Sequence, residues 1–329
     1  MAPWLVFALS GAAVVLAGIR LSRDSDVIAE RTGIGRVWIG AILLAGATSL
    51  PELTTDFYAV RQGHVNLAVG DLFGSSMANM LILALVDLAT RHERVLARVA
   101  RGQVLVGTLA ISLTATAGAG VLTAGTLTLL GVGWAPLVVA LGYLAGVRLL
   151  YANREVRDVL APQELAESPR MPSLPRALFG FGAATLVILL TARFLASSAA
   201  EIADALGISA GLMGITLLAL TTSLPEAVVG LASVRAGAPD LAVGNLLGSN
   251  CFNMAILLIL DVADGPGSLL AEVEGAVLVG ALFAILLTSQ AILDVLNTAG
   301  RRTPALEPGP WLLVGTYAAG VYLSYLAAQ

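Results

Sequence analysis

The chain has 329 residues, of which 57% are hydrophobic and 12% charged, with a net charge of −4 and a mean hydropathy of +0.88. Soluble domains carry about 25% charged residues, so this composition excludes a soluble protein; it predicts a polytopic protein embedded in a lipid bilayer, with no nucleic-acid partner expected. One cysteine, Cys251, excludes an intrachain disulfide and reads as a small buried thiol.

A membrane helix needs about 20 apolar residues. Ten such segments are predicted, at residues 3–20, 36–61, 66–88, 99–118, 124–150, 176–203, 208–235, 240–261, 272–291 and 309–327. The first, around Trp4–Ile19, lacks a preceding basic region and reads as a membrane helix rather than a cleaved signal. The polar connector Tyr151–Pro175 divides the chain into a half at 1–160 and a half at 161–329, five helices each. Basic residues cluster in alternate loops: Arg20, Arg23, Arg31 and Arg36, then Arg91, Arg94, Arg98 and Arg101, then the central connector, then Arg235, then Arg301 and Arg302. The Arg-rich side is expected to be cytoplasmic, which places both termini outside. With an odd number of helices per half, the halves are inverted relative to each other.

Residues Gly40–Leu85 align with Gly214–Ile259 without a gap at an offset of 174, and 23 of the 46 pairs are identical by direct count. Thr48-Ser49-Leu50-Pro51-Glu52 is repeated as Thr222-Ser223-Leu224-Pro225-Glu226. A second shared block puts Gly70, Gly74, Ser75 and Asn79 opposite Gly244, Gly248, Ser249 and Asn253. A glutamate and a proline inside an apolar segment are costly in lipid unless they line a cavity or a site. Paired broken helices of this kind point to an ion site near the bilayer midplane.

Residues three and four apart share a helix face, so Thr48, Ser49 and Glu52 point the same way, as do Thr222, Ser223 and Glu226. Pro51 cannot donate to the carbonyl of Ala47, and the resulting kink frees backbone oxygens. Carboxylate, hydroxyl and carbonyl oxygens suit hard cations such as Ca²⁺ and Na⁺. Ser75 with Asn79, and Ser249 with Asn253, each present a hydroxyl and an amide oxygen to one point, while the glycine stripes allow close helix approach. Two acids break the repeat. Asp56, opposite Gly230, either extends an ion path, carries a proton or is solvated near a helix end; Asp71, opposite Asn245, is expected as a hydrogen-bonded helix-start residue. His64 and His92 are expected at the surface. No His/Cys metal cluster, nucleotide loop or nucleophile triad is present, so no enzyme and no resident cofactor is predicted. An intramembrane hydrolase lacks its paired-Asp or HExxH motif, and a Ca²⁺-permeable channel is the competing transport class.

The two motifs, Thr-Ser-Leu-Pro-Glu followed by Gly-[Asp/Asn]-Leu-x-Gly-Ser-x-x-x-Asn, resemble the α-repeats of the cation/Ca²⁺ exchanger superfamily, and within it the prokaryotic Na⁺/Ca²⁺ exchangers. The resemblance implies an all-α fold of ten transmembrane helices in two inverted five-helix repeats, working as a secondary antiporter. The cytoplasmic membrane is the expected location because no targeting segment is evident, and a monomer is expected with the oligomeric state left open. The resemblance implies a metal site of Ala45, Thr48, Ser49, Glu52, Ser75 and Asn79 with Ala219, Thr222, Ser223, Glu226, Ser249 and Asn253, the two alanines through their carbonyls. It also implies that helices 1 and 6 slide over the core to switch access. Many Na⁺-coupled members carry Asp where Asn253 stands, and Asp71 and Ser76 replace common asparagines. Two firm carboxylates balance one Ca²⁺ or two protons, so Ca²⁺/Na⁺ exchange is expected and Ca²⁺/H⁺ exchange stays open.

Overall fold

The structure, a computed structural model, describes residues 2–90, 95–99, 102–123, 127–158, 172–205, 219–297 and 308–327. The first half of the predicted seventh segment, much of the central connector, and Arg91, His92, Arg94, Arg101, Arg170, Arg301 and Arg302 lie outside these residues. The helices are α1 (Ala2–Thr32), α2 (Arg36–Thr48), α3 (Leu50–Arg61), α4 (Val65–Ala89), α5 (Gly102–Leu122), α6 (Trp134–Asp158), α7 (Leu174–Ala205), α8 (Ala219–Thr222), α9 (Leu224–Arg235), α10 (Pro239–Asp264), α11 (Val277–Leu296) and α12 (Pro308–Ala327). Seven are long and apolar enough to cross a membrane, and α2 with α3 counts as an eighth if the bent pair is one span.

The mostly helical architecture follows the sequence pattern, with three local differences. α1 continues to Thr32 instead of ending near residue 20, because its polar second half is satisfied within the protein: Asp24 pairs with Arg20 at 2.6 Å, and Asp26 and Glu30 pair with Arg36 at 2.6 and 2.7 Å. Leu21, Val27, Ile28 and Ala29 on the same turns are buried. The predicted helix over 124–150 begins only at Trp134. Before it lies a two-stranded hairpin, β1 (Thr128–Leu129) and β2 (Val132–Gly133). Leu130 (φ 55°) and Gly131 (φ 81°) supply the left-handed backbone of its turn. The kink expected in segment 36–61 is present as a 42° bend between α2 and α3. Finally, Asp71 does not start a helix: α4 begins at Val65 after His64, which leaves Asp71 in the buried interior.

The most enclosed helices are α4 and α10, the second elements of the two repeats. The others present large apolar side chains outward, such as Leu141, Leu144, Leu178 and Phe179, as lipid-facing helices do. The α2–α10 contact is made backbone to backbone. A Cβ on Gly40 would stand 2.9 Å from the Leu241 carbonyl oxygen, and one on Gly248 would collide with the carbonyl of Ala41. These glycines draw the broken helix against α10.

Two repeat-related aspartates tie helix ends to the following segments. Asp87 near the end of α4 accepts the Val95 N–H at 2.7 Å, and Asp261 near the end of α10 accepts those of Gly133 at 2.9 Å and Leu269 at 2.8 Å. They lie 174 residues apart, just beyond the aligned block, and the sequence reading passed over them.

Candidate cation site

Both copies of the motif break at their serine. Ser49 (φ −88°, ψ 7°) and Ser223 (φ −80°, ψ 8°) leave the helical region, and Pro51 and Pro225 then enter the first turn of α3 and α9. Pro is pre-shaped for that place and needs no N–H bond there. The break therefore falls two residues before each proline. Upstream, α2 contains a π-helical stretch, Ile39–Leu44, a wider winding that recurs at functional sites. The carbonyls of Ala45 and Ala219, expected among the ligands, each accept from the hydroxyl of the Thr three residues on, Thr48 and Thr222, at 3.2 Å.

The two copies meet each other. Ser49 donates to Glu226 Oε1 at 3.4 Å, and Ser249 donates to the same oxygen at 3.4 Å. Thr48 lies 3.1 Å from Asn245 Oδ1 and 3.4 Å from Ser249 Oγ. On the opposite side Ser75 lies 3.5 Å from Thr222 Oγ1. Asn79 donates to Asn250 Oδ1 at 2.9 Å, and Asn250 donates in turn to the Ser76 carbonyl at 3.2 Å. Glu52 stands on the facing motif, close enough for the charge of Glu226 to act on it.

Thr48, Ser49, Glu52, Ser75, Asn79, Thr222, Ser223, Glu226, Ser249 and Asn253 are all at most 4% exposed, and Ala45 and Ala219 are fully buried. Among the described residues, Glu52 Oε2, Glu226 Oε2, Ser223 Oγ, Asn79 Oδ1 and Asn253 Oδ1 have no hydrogen-bond partner. A buried carboxylate oxygen without a partner is expensive. Five orphaned oxygens drawn from four helices are what an oxygen-coordinated cation would satisfy. Among the described residues no three His, Cys, Asp or Glu side chains converge, so the donor set is two carboxylates with neutral oxygens, suited to a hard cation rather than a soft metal. The twelve predicted residues fall on α2, α3, α4, α8, α9 and α10, with Ser49 and Ser223 at the breaks before α3 and α9. Asn253 alone among the polar ones has neither amide atom bonded.

Asn245 and Asn250 were not predicted. Asn250 aligns with Ser76, a polar position in both repeats that an identity count conceals. The two residues touch across the interface of α4 and α10.

A bundle of membrane-spanning helices that buries two opposed carboxylates among oxygen donors is a cation carrier by construction. The chain belongs to the sodium/calcium exchanger protein family, whose signature it matches over residues 2–148 and 176–328. It is 33% identical to the inner membrane protein YrbG of Escherichia coli (strain K12) over 260 residues, 78% of each chain. It is 29% identical over 303 residues to the putative antiporter CaxA of Alkalimonas amylolytica, covering 86% of this chain and 89% of that one. The fold matches solved structures of the sodium-calcium exchanger NCX_Mj with a TM-score of 0.71 at 21% identity, over 100% of this chain and 98% of that one.

Proposed function

We propose that the protein exchanges Ca²⁺ for Na⁺ across the cytoplasmic membrane by alternating access. The single observation that carries this is the pairing of Glu52 with Glu226 from two copies of one motif, each with a buried oxygen that lacks a partner. Ca²⁺ is the cargo that would satisfy both. Thr48, Ser49, Ser75, Asn79, Thr222, Ser223, Ser249, Asn253 and the carbonyls of Ala45 and Ala219 would complete its shell, and Na⁺ would use an overlapping subset of the same oxygens. Shared ligands make occupancy exclusive, so the two cations cross in opposite directions rather than together.

Ten spans in two inverted halves, with both termini outside, complete the reading. It is supported by the contact between the repeat mates Ser76 and Asn250. A residue can touch its own repeat mate only where the axis relating two copies passes between them. α1 and α7 pack along their length on one side of this core and are the proposed moving pair.

One observation favours a second reading, Ca²⁺/H⁺ exchange. With Asn253 uncharged, two carboxylates balance one Ca²⁺ or two protons, whereas three Na⁺ would leave an excess charge in a low-dielectric site. Radiolabelled Ca²⁺ uptake into proteoliposomes separates the two. Uptake driven by a Na⁺ gradient at equal pH supports the first reading; uptake driven only by a pH gradient without Na⁺ overturns it in favour of the second.

A further inference from the structure

Two buried carboxyl groups take no part in the cation site. Asp56 on α3 is 1% exposed and Asp71 on α4 is 0% exposed. Among the described residues no N–H or O–H donor meets any of their four oxygens. Each carboxyl lies within hydrogen-bonding reach of the other. The contact lies between the cation site and the tight turn that joins α3 to α4, one helical turn beyond Glu52 and one before Ser75. The second repeat has nothing comparable, since Gly230 and Asn245 occupy these positions.

Two carboxylates in contact in dry surroundings cannot both stay ionised. One proton between them removes the repulsion and makes an O–H···O⁻ hydrogen bond, the short and strong kind. A metal ion does not fit the contact as well. Ca²⁺ takes six or more oxygens, and among the described residues no third acidic group joins these two at metal-binding range. Among the described residues no cation offsets the pair, and the charge that bears on Asp56 is that of Asp71. On α7, Arg193 stacks over Phe194 at 4.6 Å. On α10, Asp261 is held by the amides of Gly133 and Leu269. The remaining acid on α3 is Glu52, which responds to both aspartates and to Glu226 of α9.

We infer that Asp56 and Asp71 form a second ion site, specific for one proton that the two carboxyls share, and that this proton departs to solvent when a divalent cation loads onto Glu52 and Glu226. The second clause rests on the proposed cation site. The first stands without it. Glu52 is the link, because a positive ion held there repels the proton one turn away on the same helix.

The purified full-length protein is titrated with Ca²⁺ in weakly buffered solution while a pH indicator counts released protons. The wild type and the D56N/D71N variant are compared. The expected result is that the variant still binds Ca²⁺ and releases about one proton fewer per Ca²⁺ bound; equal release overturns the coupling. If the wild type binds no Ca²⁺, the cation-site reading and the coupling fall together, and infrared spectroscopy of the metal-free protein still decides the pair. In an E52Q/E226Q background, the carbonyl stretch of a protonated carboxylic acid should be present at neutral pH and absent once D56N/D71N is added. A band that survives overturns the shared proton. Should the double variant not fold, D71N alone copies the residue that the second repeat carries at that position; it should shift the band, and an unshifted band overturns the pair.

Discussion

Replacing Glu226 by Gln isolates the electrostatic part of cation binding. Gln has nearly the same volume, and its carbonyl oxygen can take over the hydroxyl contacts that Ser49 and Ser249 make to Glu226 Oε1 at 3.4 Å. The amide nitrogen then occupies the place of Oε2, which has no partner to lose. The ligand-free protein should therefore keep its stability to within about 1 kcal/mol. Binding is another matter. Removing one partner of a buried charge pair costs about 2–5 kcal/mol, roughly 30- to 3,000-fold in affinity at about 1.4 kcal/mol per decade. Thermal unfolding of the detergent-solubilised protein reads both quantities. Ca²⁺ at 100 times the wild-type Kd stabilises the wild type by about 2.7 kcal/mol. With Kd raised about 100-fold, the same Ca²⁺ stabilises E226Q by only ~0.4 kcal/mol. A Ca²⁺-dependent shift in E226Q equal to that of the wild type would show that Glu226 does not hold the cation. A ligand-free E226Q that unfolds several kcal/mol sooner would show that the carboxylate is structural.

Three further outcomes follow from the geometry. Gly248→Ala places a Cβ 2.5 Å from the Cα and 2.7 Å from the carbonyl carbon of Ala41; this overpacking should cost about 1–3 kcal/mol and weaken Ca²⁺ binding by displacing Thr48 and Ser49. Gly182→Ala, with nothing within 4 Å, should change neither, and equal behaviour of the two variants would refute the role of the glycine crossing. Asn253→Asp adds a third carboxylate beside Glu52 and Glu226, so Na⁺-driven Ca²⁺ uptake into proteoliposomes should rise relative to pH-driven uptake; an unchanged ratio would remove Asn253 from the coupling. Asp261→Ala deletes the acceptor of two amide bonds and should lower stability by about 3 kcal/mol, seen in thermal unfolding with Ca²⁺ absent, while a neutral result would mean that water replaces the carboxylate.

The cation site was legible because it is duplicated. Thr48, Ser49 and Glu52 have identical mates at a fixed offset, and residues kept in both copies of an apolar segment stand out from the lipid-facing positions around them. Asn250 stayed hidden for the same reason: its mate is Ser76, so the pair scores as a mismatch although both side chains are polar and buried. Asp71 was read as a helix-start residue because it falls early in the segment expected at 66–88, but it lies on the second turn of α4 and is buried. The true start, His64, makes no side-chain cap and carries no capping signature. The hairpin at 128–133 escaped because Leu127, Leu129 and Leu130 resemble a membrane segment by hydropathy alone; Leu130 is 97% exposed at the turn. The break at Ser49 rather than Pro51 reflects the tolerance for Pro in a first helical turn, which lets the chain bend before the proline instead of at it.

The duplication also explains how a site in the middle of the bundle can sense both halves at once. The hydroxyl that reaches Glu226 from α2 belongs to the first copy of the motif, and the one from α10 belongs to the second. Movement of α2 or of α10 therefore changes the surroundings of the same carboxylate oxygen. Two symmetric copies alone would make the two faces of the membrane equivalent in their chemistry. The Asp56–Asp71 contact removes that equivalence. It adds an ionisable pair on the side of the α3–α4 turn, whereas the α9–α10 turn has Gly230 and Asn245 at the matching depth. A cation passing toward the first turn meets a group that can exchange charge with it, and a cation passing toward the second does not. A direction-dependent proton sensitivity of Ca²⁺ flux is the consequence, and it would vanish in D56N/D71N while the Glu52–Glu226 site remained intact.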